Sequence, residues 1–289
     1  MRSVDGEVLF PDCFSACTVL DYVQKNRNER ELEYGQKMER QLSCGERCGA
    51  APGVCLPAHH VRSTAERRFP VLYMFDGQNV FFNEDATYGK SWGVADYLDY
   101  TDTPLIVAAI ECNAGANNER LVEYSPYRFD DPTYGHFDGK GQATMSWFIH
   151  RFKPLIDQNF RTLPDRANTF IGGSSMGGLM SLYALLQYND TYSRAAALSP
   201  SIWVAPDKLS GLVGRAKLAP GTVLYMDYGS REMGNHEGIR RQFSALSGKL
   251  MTRGIHLTSR IVPGGTHSEA SWEKQLPFVF HTLLYEVEG

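Results

Sequence analysis

The sequence predicts an α/β domain built on a mostly parallel central sheet with helices on both faces. Three observations carry that reading. From Arg68 onward, short apolar runs of strand length are bounded by Gly, Pro, Asn or Asp. These runs alternate with longer segments whose apolar residues recur at helical spacing. The runs are also close to continuously apolar, which is what strands covered on both faces require. Residues 1–53 lack this pattern and are read as a cysteine-bearing extension or edge hairpin, leaving residues 54–289 as the main domain.

Taken in chain order, strands are expected at Val71–Phe75, Leu105–Ile110, Asn168–Ile171, Ala195–Leu198, Val223–Tyr228 and Ser259–Val262. Helices are expected at Thr144–Asn159, Gly178–Tyr188, Glu237–Thr252 and Ser271–Glu286, where the apolar spacing lengthens to that of one helix face. Before them, residues 21–47 interleave acids and bases. Leu32 and Tyr34 alternate as in a strand, while Tyr34, Met38 and Leu42 recur as on a helix, so a solvated helix or an edge hairpin fits equally. No repeat of 20 to 50 residues and no low-complexity tract interrupts the chain.

Composition removes several classes of function. Hydrophobic residues make up 43% and charged residues 21% of the 289, which excludes collagen-like, coiled-coil and wholly disordered chains. A net charge of −4 (29 bases against 33 acids) gives neither the footprint of a nucleic-acid binder nor a polybasic membrane patch. The longest apolar runs, such as Leu105–Ile110, fall far below the ~18 residues of a membrane span. Asp5, Glu7 and Asp12 interrupt the N-terminus where a secretory signal needs an uninterrupted apolar stretch, so a cytoplasmic location is expected.

Five of the six cysteines, Cys13, Cys17, Cys44, Cys48 and Cys55, lie in the first 55 residues, and Cys112 follows an apolar run. The two Cys-x-x-x-Cys pairs differ from the commoner Cys-x-x-Cys metal spacing, and a reducing compartment keeps thiols free. Buried or free thiols are therefore expected, with no metal and no cofactor.

A G-x-S-x-G pattern is present at Gly173-Ser174-Ser175-Met176-Gly177, and a second match stands at Gly89-Lys90-Ser91-Trp92-Gly93. Context separates them. Ser175 follows the apolar run Thr169-Phe170-Ile171 and precedes the helical MSLYALLQY, the strand, sharp turn and helix that expose a strained nucleophile. Ser91 follows the polar loop NEDATYGK. A serine hydroxyl is a weak nucleophile and needs a base, and the base needs an orienting group. In an α/β-hydrolase these follow the serine in the order acid, then histidine. That leaves His236, His256, His267 and His281. His281 falls within the terminal helix, and His256 falls between a helix and the last strand. His267 follows the strand Arg260-Ile261-Val262 and the loop Pro263-Gly264-Gly265-Thr266, at the sheet edge where a base belongs. For the acid, Glu232 stands just after the strand TVLYMDYG and is favoured over Asp227 inside it. The oxyanion donors are expected to be the N–H groups of Met176 and Gln78, the latter in the Asp76-Gly77-Gln78-Asn79 turn after the first strand.

The stretches VLYMFDGQNVFF (Val71–Phe82), NERLVEYSP (Asn118–Pro126), KPLIDQNFRTLPDR (Lys153–Arg166), IGGSSMGGLMSLYAL (Ile171–Leu185), LSPSIW (Leu198–Trp203) and GGTHSEASW (Gly264–Trp272) occur in that order. Together they resemble an esterase family whose branches include esterase D, enterochelin esterase and carbohydrate feruloyl or acetyl esterases. The resemblance spans residues 54 to 286. It implies an α/β-hydrolase fold and metal-independent ester hydrolysis, with Ser175 as nucleophile, His267 as base and an acid on the loop of Glu232. Residues 1–53 do not match the pattern, and the cysteine cluster departs from it.

Asp76, Asn79, Trp203 and Trp272 are the expected substrate contacts, the two indoles as platforms for a sugar or aromatic acyl group. Arg120, Glu123 and Tyr124 are read as a polar network beneath the site. The expected activity is serine carboxylesterase action on small or medium soluble esters: an acylated sugar, a feruloyl or acetyl ester, or a siderophore-type ester. Acyl transfer by the same triad is the alternative, followed by a non-catalytic binding protein on a hydrolase fold. The expected partner is the small-molecule ester, with no nucleic acid and no membrane, and a homodimer is left open.

Overall fold

The computed structural model describes residues 54–55, 67–113, 118–132, 135–232 and 237–286. The cysteine-bearing segment before residue 54 lies outside the described residues. Described strands are β1 (Val54–Cys55), β2 (Val71–Met74), β3 (Ile106–Ala109), β4 (Phe129–Asp131), β5 (Gly135–Phe137), β6 (Thr169–Ser174), β7 (Arg194–Leu198), β8 (Val223–Gly229) and β9 (His256–Val262). Described helices are α1 (Val94–Thr101), α2 (Glu119–Glu123), α3 (Gly141–Trp147), α4 (Lys153–Asn159), α5 (Met176–Gln187), α6 (Pro206–Arg215), α7 (Glu237–Met251), α8 (Glu269–Glu273) and α9 (Leu276–Leu284).

Seven strands form one sheet in the order β1-β3-β2-β6-β7-β8-β9, parallel except for β1, which runs antiparallel to β3. This is the α/β-hydrolase arrangement. Alternation along β2 shows how both faces are covered, because successive side chains point to opposite sides. Leu72 and Met74 enter a cluster with Val94 and Leu98 of α1 and with Val279, Phe280 and Leu283 of α9. Tyr73 and Phe75 point the other way and meet Phe152 and Phe148 edge-on or tilted, at centroid distances of 5.6 and 4.9 Å. All four of these aromatic side chains are fully buried, each contributing about 2 kcal/mol of apolar burial. On that same face α5 is buried from Met176 to Leu186, so it has no polar face to read as amphipathic.

The structure adjusts several expected elements. The helix expected at Thr144–Asn159 begins at Gly141 and carries a π turn at Phe148–Phe152 between α3 and α4. That expected at Ser271–Glu286 is two helices, α8 and α9, separated at Lys274–Gln275. Pro277, near the start of α9, has no N–H to continue the first helix. The last strand starts at His256, which pairs with Val223, so His256 lies in β9 and not between elements. β9 is the edge of the sheet and half exposed, with no continuous apolar run to mark its first three residues. β6 runs on through Gly172, Gly173 and Ser174, residues of low strand propensity held by pairing to β7. The hairpin β4–β5 and helices α1 and α6 had no expectation attached.

Candidate active site

Three of the five described non-glycine residues with positive φ stand just beyond the ends of neighbouring parallel strands: Asp76 (58°) after β2, Ser175 (58°) after β6 and Ser199 (43°) after β7. Each costs on the order of 1 to 3 kcal/mol, and such strain persists where surrounding contacts over-determine it. The carboxyl edge of a parallel sheet is also where open α/β folds hold their sites.

Ser175 occupies the turn between β6 and α5, with φ 58° and ψ −120°. Its N–H donates to Leu198 O at 2.9 Å, and the first α5 bond runs from Leu179 N–H to Ser175 O at 3.0 Å. A side chain at Gly173 would place its Cβ 2.9 Å from the carbonyl carbon of Gly177, so the turn closes only with glycine there. The Ser175 hydroxyl sits at the positive end of the helix, 3.5 Å from Ser201 Oγ. The competing Ser91 is buried, and its hydroxyl is spent on Phe81 O at 3.2 Å and Asn83 Oδ1 at 3.1 Å.

His267 and Glu232, 35 residues apart, meet where their loops cross the sheet edge. His267 Nδ1 lies 2.9 Å from Glu232 Oε2. A carboxylate only accepts, so Nδ1 carries the proton and Nε2 is left with its lone pair. The other Glu232 oxygen, Oε1, accepts the Ser199 hydroxyl at 2.6 Å and the Gly229 N–H at 2.6 Å. Ser199 Oγ accepts the Trp272 indole N–H at 2.9 Å, and the Trp272 ring stands edge-on to His267 at 5.0 Å. Asp227 faces elsewhere: its oxygens accept the Ser199 N–H at 3.1 Å and the Tyr225 hydroxyl at 2.8 Å. Burial pushes its carboxyl up to about 7; the Tyr225 and Ser199 hydrogen bonds oppose that rise and the Glu232 charge adds to it.

The turn after β2 is held from three sides. Gly77 N–H donates to Ile110 O at 2.7 Å, and a Cβ at Gly77 would meet the Ile110 backbone at 2.8 Å. Asn79 and Val80 N–H groups donate to Asp76 O and Gly77 O. Among the described residues the Gln78 N–H takes no backbone acceptor, and neither does that of Met176. The Gln78 side chain pairs with Cys112: its Nε2 lies 3.3 Å from Sγ, and its Oε1 accepts the Cys112 N–H at 3.3 Å. Cys112 is a buried free thiol, pushed well above its ordinary pKa mainly by that burial.

The remaining expected residues are placed as follows. Asp76 is buried and takes two bonds from the Arg120 guanidinium, at 2.6 and 2.7 Å. Burial opposes the Arg120 charge, and Asp76 outweighs that cost. The Asp76 N–H donates to Tyr124 Oη at 3.3 Å, and Glu123 Oε2 accepts the Asn113 N–H at 2.6 Å. Asn79 bridges two loops, accepting the Thr87 N–H at 2.9 Å and donating to Glu269 Oε1 at 3.2 Å. Trp272 is buried, and Trp203 is half-buried with Phe129 edge-on at 5.9 Å. The polar side-chain atoms of Asp76, Asn79 and Trp272 are thus engaged within the protein. Ser199, Ser201 and Glu269 had no role in the sequence reading. Their signal was positional: Ser199 and Ser201 lie just beyond β7, and Glu269 opens α8 two residues after His267.

The fold and this edge together define a hydrolase of the α/β type. Residues 50–282 match the family described as "Putative esterase", and the chain belongs to that family. The protein is a carboxylic ester hydrolase. It is similar to YbbA of Bacillus subtilis, described as an uncharacterized protein, at 27% identity over 187 residues, 62% of this chain and 68% of that one. It is also similar to an endo-1,4-beta-xylanase/feruloyl esterase of Xylanibacter ruminicola, at 24% identity over 76% of this chain and 27% of that one. Among solved structures, siderophore hydrolase EstA of Aspergillus nidulans shares the fold with a TM-score of 0.60 at 18% identity, covering 80% of this chain and 89% of EstA. Among the described residues no helix is long and apolar enough to cross a membrane, and no group of three or more His, Cys, Asp or Glu could hold a metal ion.

Proposed function

We propose that this ester hydrolase works through an acyl-enzyme on Ser175, with His267 as base and Glu232 as the acid that orients it. The observation that carries the reading is the 2.9 Å contact between His267 Nδ1 and Glu232 Oε2 on the edge that also exposes Ser175. Ser175 Oγ attacks the ester carbonyl while His267 Nε2 takes the hydroxyl proton, then returns it to the departing alcohol. Water, deprotonated by the same nitrogen, releases the acid and restores the serine. The Gln78 and Met176 N–H groups, each without a backbone acceptor among the described residues, bind the negative oxygen of the tetrahedral intermediate.

The substrate class favoured is a small or medium soluble ester bearing a sugar, an aromatic acyl group or a siderophore-type backbone. Feruloyl esterase and siderophore hydrolase activities stand in the names of two similar proteins. Trp203, half-buried beside the hairpin β4–β5, supplies the aromatic surface for such a group. Asp76, Asn79 and Trp272 serve the site by holding its loops. The reading is tested by hydrolysis of p-nitrophenyl acetate and butyrate by wild type and Ser175→Ala, with circular dichroism on both. Turnover by wild type and its loss by a folded variant supports the mechanism; equal rates sink it. Adding acceptor alcohols and analysing products separates hydrolysis from acyl transfer, since a transferase yields new ester in place of free acid.

A further inference from the structure

We propose that Ser199 is a positioning residue for the His267–Glu232 pair: its hydroxyl holds one carboxylate oxygen of Glu232 so that the other stays aimed at His267. The inference rests on the reading of Glu232 as the acid. A carboxylate on a loop has freedom about its last torsion, and Glu232 lies three residues past a strand end. Its Oε1 is fixed by two short donors, the Ser199 hydroxyl and the Gly229 N–H, both at 2.6 Å. Only Oε2 remains for His267, at 2.9 Å.

The hydroxyl is itself oriented by a donor. Trp272 gives its indole N–H to Ser199 Oγ at 2.9 Å, which leaves the serine proton directed at Glu232. Ser199 is held in turn at φ 43° by Asp227, whose backbone O and Oδ1 share the Ser199 N–H, each at 3.1 Å, while Oδ2 accepts the Tyr225 hydroxyl. The unused carboxylate of β8 therefore has an occupation: it anchors the backbone of the residue that anchors Glu232. Trp272 closes the circuit, since its ring stands edge-on to His267. One buried hydroxyl joins the loop after β7, the acid after β8 and the helix that follows the base.

The test uses Ser199→Gly, which removes the hydroxyl and accepts a positive φ without strain, with Ser199→Ala as a second variant. Both are compared with Glu232→Gln and with the Ser199→Gly, Glu232→Gln double variant on p-nitrophenyl acetate. The expected result is a loss of about ten- to hundredfold in kcat for Ser199→Gly, as for a lost hydrogen bond to a charged group, with KM within about twofold. The serine change costs less than about threefold in the Glu232→Gln background. An unchanged kcat overturns the proposal, as does an equal loss in both backgrounds. If Glu232→Gln keeps wild-type kcat while Ser175→Ala is inactive, the acid assignment fails, and the role of Ser199 fails with it. If Glu232→Gln is impaired and both Ser199 variants are not, Ser199 alone is excluded.

Discussion

His267 Nδ1 and Glu232 Oε2 stand 2.9 Å apart, while the nearby Asp227 turns both of its oxygens toward Ser199 and Tyr225. Two buried carboxylates, one inside β8 and one three residues beyond it, thus have different hydrogen-bond partners. Glu232→Gln presents an amide to His267 in place of a carboxylate, and kcat is expected to fall by about three to four orders of magnitude. Asp227→Asn keeps an acceptor for the Ser199 N–H and is expected to stay within about tenfold of wild type. Steady-state hydrolysis of p-nitrophenyl butyrate by the two variants checks the ranking; the reverse order would transfer the acid role to Asp227.

Asp227 also governs how stability varies with pH. Burial raises its carboxyl from the ordinary 3.8 to about 7 in the folded protein. Between those values the folded state keeps a proton that the unfolded chain has released, so stability falls as pH rises from about 4 to about 7. The penalty above pH 7 is on the order of 4 kcal/mol at most. Asp227→Asn carries no such charge. Its melting temperature relative to wild type should climb across that interval and level off above it, and a difference that stays flat with pH would refute the assignment.

The elbow tolerates no side chain at Gly173. A Cβ there would lie 2.9 Å from the Gly177 carbonyl carbon, in the backbone that presents Ser175. Gly173→Ala is expected to lower the unfolding free energy by about 1 to 3 kcal/mol, the cost of overpacking, and to reduce kcat at least tenfold by displacing Ser175. Thermal melts together with rates report the two effects separately.

Arg120 holds the turn after β2 through Asp76, with a bidentate pair at 2.6 and 2.7 Å. The Asp76 side chain is 7% exposed and that of Arg120 27%. Arg120→Ala strands a buried carboxylate at positive φ beside Gln78, and is expected to cost about 3 kcal/mol of stability. Because Gln78 N–H shares that turn, kcat should fall more than KM rises. Arg120→Lys keeps the charge and loses the fork, and should recover stability only in part.

Much of this molecule is legible in its sequence. Five of the apolar runs fall on the strands β2, β3, β6, β7 and β8, because strands buried on both faces read as continuous apolar segments. Ser175 was separable from Ser91 because one follows such a run and the other follows a polar loop. The edge strand β9 and the paired helices α8 and α9 were read imperfectly. Half-exposed β9 carries no continuous apolar signal at its start, and the break before Pro277 interrupts an apolar spacing that continues across it.

The strand–turn–helix around Ser175 and the mostly parallel sheet are legible in the sequence alone. Tertiary structure alone shows that Glu232, beyond the end of β8, meets His267, while Asp227 inside that strand meets Ser199 and Tyr225. It alone revealed Ser199, 33 residues from Glu232 and 73 from Trp272. It also showed that Asp76, Asn79 and Trp272 are engaged with Arg120, Glu269 and Ser199. The physical reason is common to all three. Local pattern records which face of an element is apolar, whereas the partner of a buried polar atom is set by how distant strand ends come together, and no local spacing encodes that distance.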